Sequence, residues 1–118
     1  MAILIYNRGR HGKGGVMEIY FEIKTTTGKI IRTTLSHWEL ITRVKHPEIE
    51  GKDAEVKQCL SNPVEIRKSS EDNDVYLYYY PLGKYFICVV VRHLNGEGFI
   101  ITAYITDKIK EGKTVWKR

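Results

Sequence analysis

Residues 85–91 read Tyr-Phe-Ile-Cys-Val-Val-Val, almost wholly apolar. That is the pattern of a central strand covered on both faces. Residues 99–106 alternate instead: Phe99, Ile101, Ala103 and Ile105 fall on one face, Ile100, Thr102, Tyr104 and Thr106 on the other. Between the two runs stands Asn95-Gly96, a strong hairpin signal, because both residues tolerate a positive φ. The spacing therefore predicts a long hairpin with one core face and one face rich in hydroxyls.

The rest of the chain is read outward from this pair. Residues 16–24 and 30–34 are strand-like and are joined by Thr27-Gly28-Lys29, which predicts a first hairpin. Residues 36–46 predict a helix: Ser36 and Glu39 have capping-box spacing, and His37, Leu40, Ile41 and Val44 share one face. Pro47 ends it at His46. A second helix is expected over residues 52–60, closed by Asn62-Pro63. Residues 64–69 and 75–80 follow as strands around a polar turn at 71–74. After Thr106 the chain is charged, with Trp116 as a terminal anchor. The expected fold class is α+β: an N-terminal β-hairpin and two helices packed on one face of an antiparallel four-strand meander.

At 118 residues the chain suits one domain with a real core. Residues 1–15 read as a flexible, basic, Gly-rich leader, with a short strand conceivable at 2–6, and residues 16–118 as the domain. The leader lacks the GxxxxGK[ST] spacing of a phosphate loop. The net charge of +5 sits at the ends: +3 in residues 1–15 and +4 in residues 108–118, which leaves −2 between them. Basic ends suit a phosphate-bearing partner, or are simply solvated tails. No apolar run nears the ~20 residues that span a bilayer, and no secretory signal is visible. Cys59 and Cys88 lack CxxC neighbours and read as reduced, buried hydrophobes. A cytoplasmic location without membrane contact is the resulting expectation. The four histidines have no i, i+4 pairing, so neither a metal nor a cofactor is expected.

Several segments then form a series: His37-Trp38-Glu39, His46-Pro47-Glu48-Ile49, residues 60–69 (Leu-Ser-Asn-Pro-Val-Glu-Ile-Arg-Lys-Ser), Val75-Tyr76-Leu77-Tyr78-Tyr79, the central strand and Ile101-Thr102-Ala103-Tyr104. In this order they resemble the phage and bacterial branch of the barnase–EndoU–colicin–RelE-like nuclease superfamily, over residues 33–112. The resemblance implies a RelE/barnase-like fold and RNA cleavage without metal, by attack of a ribose 2′-hydroxyl on the adjacent phosphate. It also implies RNA as a partner, and an antitoxin or other protein partner. Such a reaction needs a base, an acid and donors to the phosphorane. The candidate catalytic residues are His37, His46, Thr102 and Tyr104; the candidate substrate-binding residues are Arg67, Ser69 and Arg92.

Each candidate has a plainer reading. His37 shares a face with apolar residues and suits a half-buried structural role. His46 suits the C-terminal end of a helix dipole. Thr102 and Tyr104 favour strands in any case. A two-residue turn at Asn95-Gly96 pairs Val89 with Thr102 and turns Arg92 away from it; a three-residue loop brings Arg92 onto the Thr102 face. A non-catalytic RNA- or protein-binding module of the same fold, or an interaction domain with a free sheet edge, remains an alternative.

Overall fold

The computed structural model describes residues 18–118. The two N-terminal readings, the basic leader and a strand at 2–6, lie outside them. Seven strands form a single mixed sheet in the order β1-β2-β6-β5-β4-β3-β7. They are β1 (Ile19–Lys24), β2 (Ile30–Thr34), β3 (Glu65–Lys68), β4 (Val75–Leu82), β5 (Tyr85–His93), β6 (Glu97–Thr106) and β7 (Lys113–Lys117). Helices α1 (Leu35–Leu40) and α2 (Asp53–Ser61) lie between β2 and β3. No helix among the described residues is long and apolar enough to cross a membrane.

This corrects the expected architecture of two helices on a four-strand antiparallel meander. The N-terminal hairpin belongs to the same sheet, because β2 pairs in parallel with β6 over Ile30–Arg32 and Glu97–Phe99. A further strand, β7, pairs with β3 at the opposite side. Both additions rest on long-range pairing, which local hydrophobic periodicity does not encode.

The first helix also differs from its expected form. Thr34, not Ser36, caps it: the Thr34 hydroxyl accepts from the His37 amide at 3.2 Å. The α-helix stops at Leu40 and opens into a π-helical turn over Ile41–Lys45, where the His46 amide donates to the Ile41 carbonyl five residues back. The buried side is then Trp38, Ile41 and Thr42, while Leu40 is 42% and Val44 69% exposed. The expected packing face of His37, Leu40, Ile41 and Val44 is thus overturned. Trp38 takes the core position and packs edge-on against Phe21.

The segment from α1 to α2 crosses one face of the sheet. Between it and the sheet, Ile41, Ile49, Val56 and Leu60 of the segment and Ile31, Ile87, Val89, Val91 and Ile100 of the strands are fully buried. Each such side chain contributes about 1.5–3 kcal/mol of burial. Cys59 of α2 donates to the Tyr78 carbonyl at 3.2 Å, tying that helix to β4. The other face, free of helices, carries a smaller cluster of Leu77, Tyr79 and Cys88, on which Ile109 packs from the segment after β6. The two free cysteines thus lie in separate clusters on opposite faces of the sheet.

The β5–β6 hairpin decides which residues reach the helix-free face. Its two-residue turn pairs His93 with Gly98 and Val91 with Ile100. A bulge follows, and Val90 pairs with Thr102 instead of Ile101. Ile100 therefore joins Ala103 in the helix-side core, and Thr102 and Tyr104 point the other way. Arg92 shares their face, an outcome that arises from a two-residue turn combined with a bulge. Gly98 is required where the strands draw close, since a Cβ there would stand 2.1 Å from the Arg92 carbonyl oxygen.

Candidate functional site

The parallel pairing of β2 covers β6 only as far as Phe99. Beyond it the helical segment runs along the open edge of β6. His37 seals that edge: its ring Nε2 lies 2.9 Å from the Ile101 carbonyl oxygen, at the bulge. Nine residues later the π-helix and Pro47 release the backbone at His46 (φ −140°, ψ 76°). The imidazole reaches the Tyr104 ring, with centroids 5.7 Å apart. On its other side the Nδ1 of His46 lies 3.4 Å from the Glu48 carboxylate. A histidine oriented by a carboxylate and left one-third exposed beside a phenol is an arrangement suited to proton transfer.

Tyr104 opens into a cavity of about 500 Å³ on the helix-free face. Ser69, Glu71, Val90, Lys110 and Glu111 also line it. Burial, followed by the neighbouring Cys88 thiol, raises the Tyr104 phenol above its ordinary range. The hydroxyl therefore keeps its proton and acts as a donor. Cys88 pairs with Tyr104 across β5 and β6, and burial pushes its thiol up to about 12, so it stays protonated too. Thr102 lies on the same face, and its buried hydroxyl has no hydrogen-bond partner among the described residues.

The remaining candidates are placed less directly. Ser69 lines the cavity, but its hydroxyl oxygen closes a turn by accepting from the Glu71 and Asp72 amides at 3.1 and 3.3 Å. Arg67 is engaged in structure: Nε donates to Glu65 at 2.7 Å and Nη1 to the Gly112 carbonyl at 3.3 Å. Its carboxylate partner is buried, and also accepts from Thr114 at 2.6 Å. Arg92 stands beside Val75, a lining residue, and makes no ion pair among the described residues. His37 does not share the Tyr104 cavity. It lines a separate depression with Arg32, Thr34 and Phe99, in which Arg32 is paired with Glu22 and Glu97. The structure thus brings together His46, Tyr104 and Ser69, places Thr102 and Arg92 on the same face, and sets His37 apart.

Sequence reasoning missed Glu48 and Lys110. Glu48 was legible two residues after His46, with Pro47 between them fixing the turn. Lys110 depends on how the 107–112 segment folds back over the sheet, which Gly112 allows. That glycine has φ +81°, and a Cβ on it would meet the Lys68 carbonyl oxygen at 2.5 Å.

No family model matches the chain. Among curated proteins it is similar to the bifunctional protein GlmU of Bacillus cytotoxicus, 28% identical over 119 aligned residues that span 93% of this chain. The chain spans about a quarter of that protein's length, 24%. No solved structure matches. A likeness of this extent leaves the family unassigned, so the functional reading rests on the residues themselves.

Proposed function

We propose that this chain is a metal-independent endoribonuclease domain that works on the helix-free face of its sheet. The observation that carries the reading is His46, held by Glu48 and set against the protonated Tyr104 at the edge of a polar cavity. The resemblance of residues 33–112 to the barnase–EndoU–colicin–RelE-like nucleases supports the choice of RNA as substrate. In this reading the His46 imidazole takes the proton of a ribose 2′-hydroxyl. The 2′-oxygen attacks the adjacent phosphorus and the bond to the 5′-oxygen breaks. Tyr104 gives its proton to the departing 5′-oxygen, and the Lys110 ammonium offsets charge on the phosphorane. The products are a 2′,3′-cyclic phosphate and a 5′-hydroxyl; His46 returns its proton to solvent and Tyr104 takes one back from it, which restores both groups. Arg92, on the same face and without an ion pair among the described residues, meets the backbone of the bound strand.

The test is incubation of the purified protein with total RNA in EDTA. Cleavage that His46→Ala abolishes without lowering the melting temperature supports the proposal. Binding by gel shift without cleavage would replace it with a non-catalytic RNA-binding module, in which Tyr104 and Arg92 hold the strand.

A further inference from the structure

The helix-bearing face holds a second cavity, of about 610 Å³, at the end of the sheet that α2 leaves uncovered. It lies where three turns converge: 25–29 brings Lys29, 72–74 brings Asp74 and 94–96 brings Asn95. Its size falls in the range of small-molecule sites. Nothing in the proposed RNA chemistry uses it.

Its walls follow from strand register. Trp116 of β7 pairs with Ile66 of β3, which pairs with Tyr78 of β4. The two aromatic residues are therefore two strand spacings apart, roughly 9.6 Å, with the shorter Ile66 between them as a floor. The wall on the β4 side is rigid. His93 stacks on Tyr76 with centroids 4.0 Å apart and planes 18° apart. Its Nε2 lies 2.9 Å from the Tyr78 hydroxyl oxygen, and its amide donates to the Asp74 carbonyl at 2.7 Å. Among the described residues no ring stacks on Trp116 across this gap.

The charged groups at the mouth remain available. Lys29 and Asp74 line the same cavity, yet neither makes an ion pair with the other or with any described residue. One offers an ammonium to an anion; the other offers a carboxylate to N–H donors. Burial, then Lys29, lowers His93 to about 4 against the pull of Asp74, so the stacked wall is uncharged at neutral pH. A flat ring has apolar walls on two sides, an anion has a cation, and an amino or imino edge has an acceptor.

We infer that this cavity binds a purine nucleotide, with its base between Trp116 and the joint wall of Tyr78, Tyr76 and His93, its N–H edge on Asp74 and its phosphate on Lys29. Stacking of a base on an aromatic side chain is strong enough to be read by alanine substitution. A simple apolar ligand would gain nothing from Lys29 or Asp74. A bare anion would gain nothing from the aromatic walls.

Trp116 reports on the site in the full chain. Titration with guanosine monophosphate should change its fluorescence saturably, and Trp116→Phe should remove that change. Guanosine and inorganic phosphate, used as separate probes, should each bind at least tenfold more weakly than the nucleotide. By calorimetry, Lys29→Ala should weaken the nucleotide about tenfold and leave guanosine unaffected, and Asp74→Asn should weaken both. Lys29 and Asp74 lie in turns, so these variants keep the fold. His46→Ala should bind the nucleotide as the parent does, which separates this site from the RNA-cleaving face. Absence of saturable binding at millimolar nucleotide would overturn the inference. So would binding that Lys29→Ala and Asp74→Asn leave unchanged.

Discussion

The Nε2–H of His37 donates to the main-chain carbonyl of Ile101 across 2.9 Å, and Ile101 is the bulged residue of β6. A carbonyl only accepts, so this bond fixes the proton on Nε2. The contact closes the edge of β6 where β2 no longer pairs. It also holds the bulge that aims Thr102 and Tyr104 away from the helices. His37→Ala should therefore cost about 1 kcal/mol of stability. Cleavage per folded molecule should stay unchanged. Thermal melts and RNA assays on the same preparation read the two effects apart.

His46 should behave in the opposite way. It is one-third exposed and bears little packing, so His46→Ala should leave the melting temperature near that of the parent. A general base contributes about 10²–10⁴ in rate, and cleavage should fall by that order. Glu48→Gln, which removes the orienting charge but not the imidazole, should produce a smaller loss. Single-turnover rates on one RNA oligomer rank the three proteins.

Gly112 should matter through the segment it anchors. Its φ of +81° and the nearby Lys68 carbonyl leave no room for a side chain. Gly112→Ala should destabilise the protein by about 1–3 kcal/mol. It should also loosen Ile109 from the Leu77–Tyr79–Cys88 cluster. Peptide-resolved thiol labelling would detect this as faster modification of Cys88, while Cys59, on the buried side of α2, stays protected.

His93 should give the fold an acid-sensitive edge. Its folded value is about 4, below the ordinary 6.5. Burial is the main cause, and Lys29 adds to it, while Asp74 opposes. Tyr76 and Tyr78 also face the ring, and burial raises the Tyr78 phenol above its ordinary value. Between the two His93 values the unfolded chain binds the proton and the folded chain does not. This contribution is therefore complete above pH 6.5 and is lost as the pH falls to 4. Its size is on the order of 1–2 kcal/mol once solvent screening is allowed for. His93→Phe keeps a ring on Tyr76, and should flatten the dependence of melting temperature on pH within that window.

Much of the local structure was legible because single residues enforce it. Pro47 ends the first helical segment at His46, and Asn95-Gly96 forces the hairpin turn. The run Ile87, Val89 and Val91 is buried as an all-apolar central strand should be. Partnerships between distant residues were not legible. The parallel contact of Ile30–Arg32 with Glu97–Phe99 has no local signature, and neither does the pairing of Trp116 with Ile66. The bulge at Ile101 replaced strict alternation and brought Ile100 into the core. The buried stripe of the first helical segment is Trp38, Ile41 and Thr42, one position along from the stripe expected, so Trp38 took the burial expected of Leu40 and Val44. The candidate site was legible by residue type more than by place. Tyr104 and His46 meet, while His37 and Arg67 are engaged in holding backbone.

The central claim is 2′-hydroxyl attack at the His46–Tyr104 edge, and the chemistry of the cut ends tests it most directly. A short RNA, and the same oligomer with a single 2′-deoxy substitution at the mapped cut, are incubated in EDTA and their products weighed by mass spectrometry. The account predicts a 2′,3′-cyclic phosphate and a 5′-hydroxyl from the RNA. It predicts no cut at the 2′-deoxy position, and no products from His46→Ala. Cleavage at the 2′-deoxy position, 5′-phosphate ends, or intact RNA throughout would contradict it.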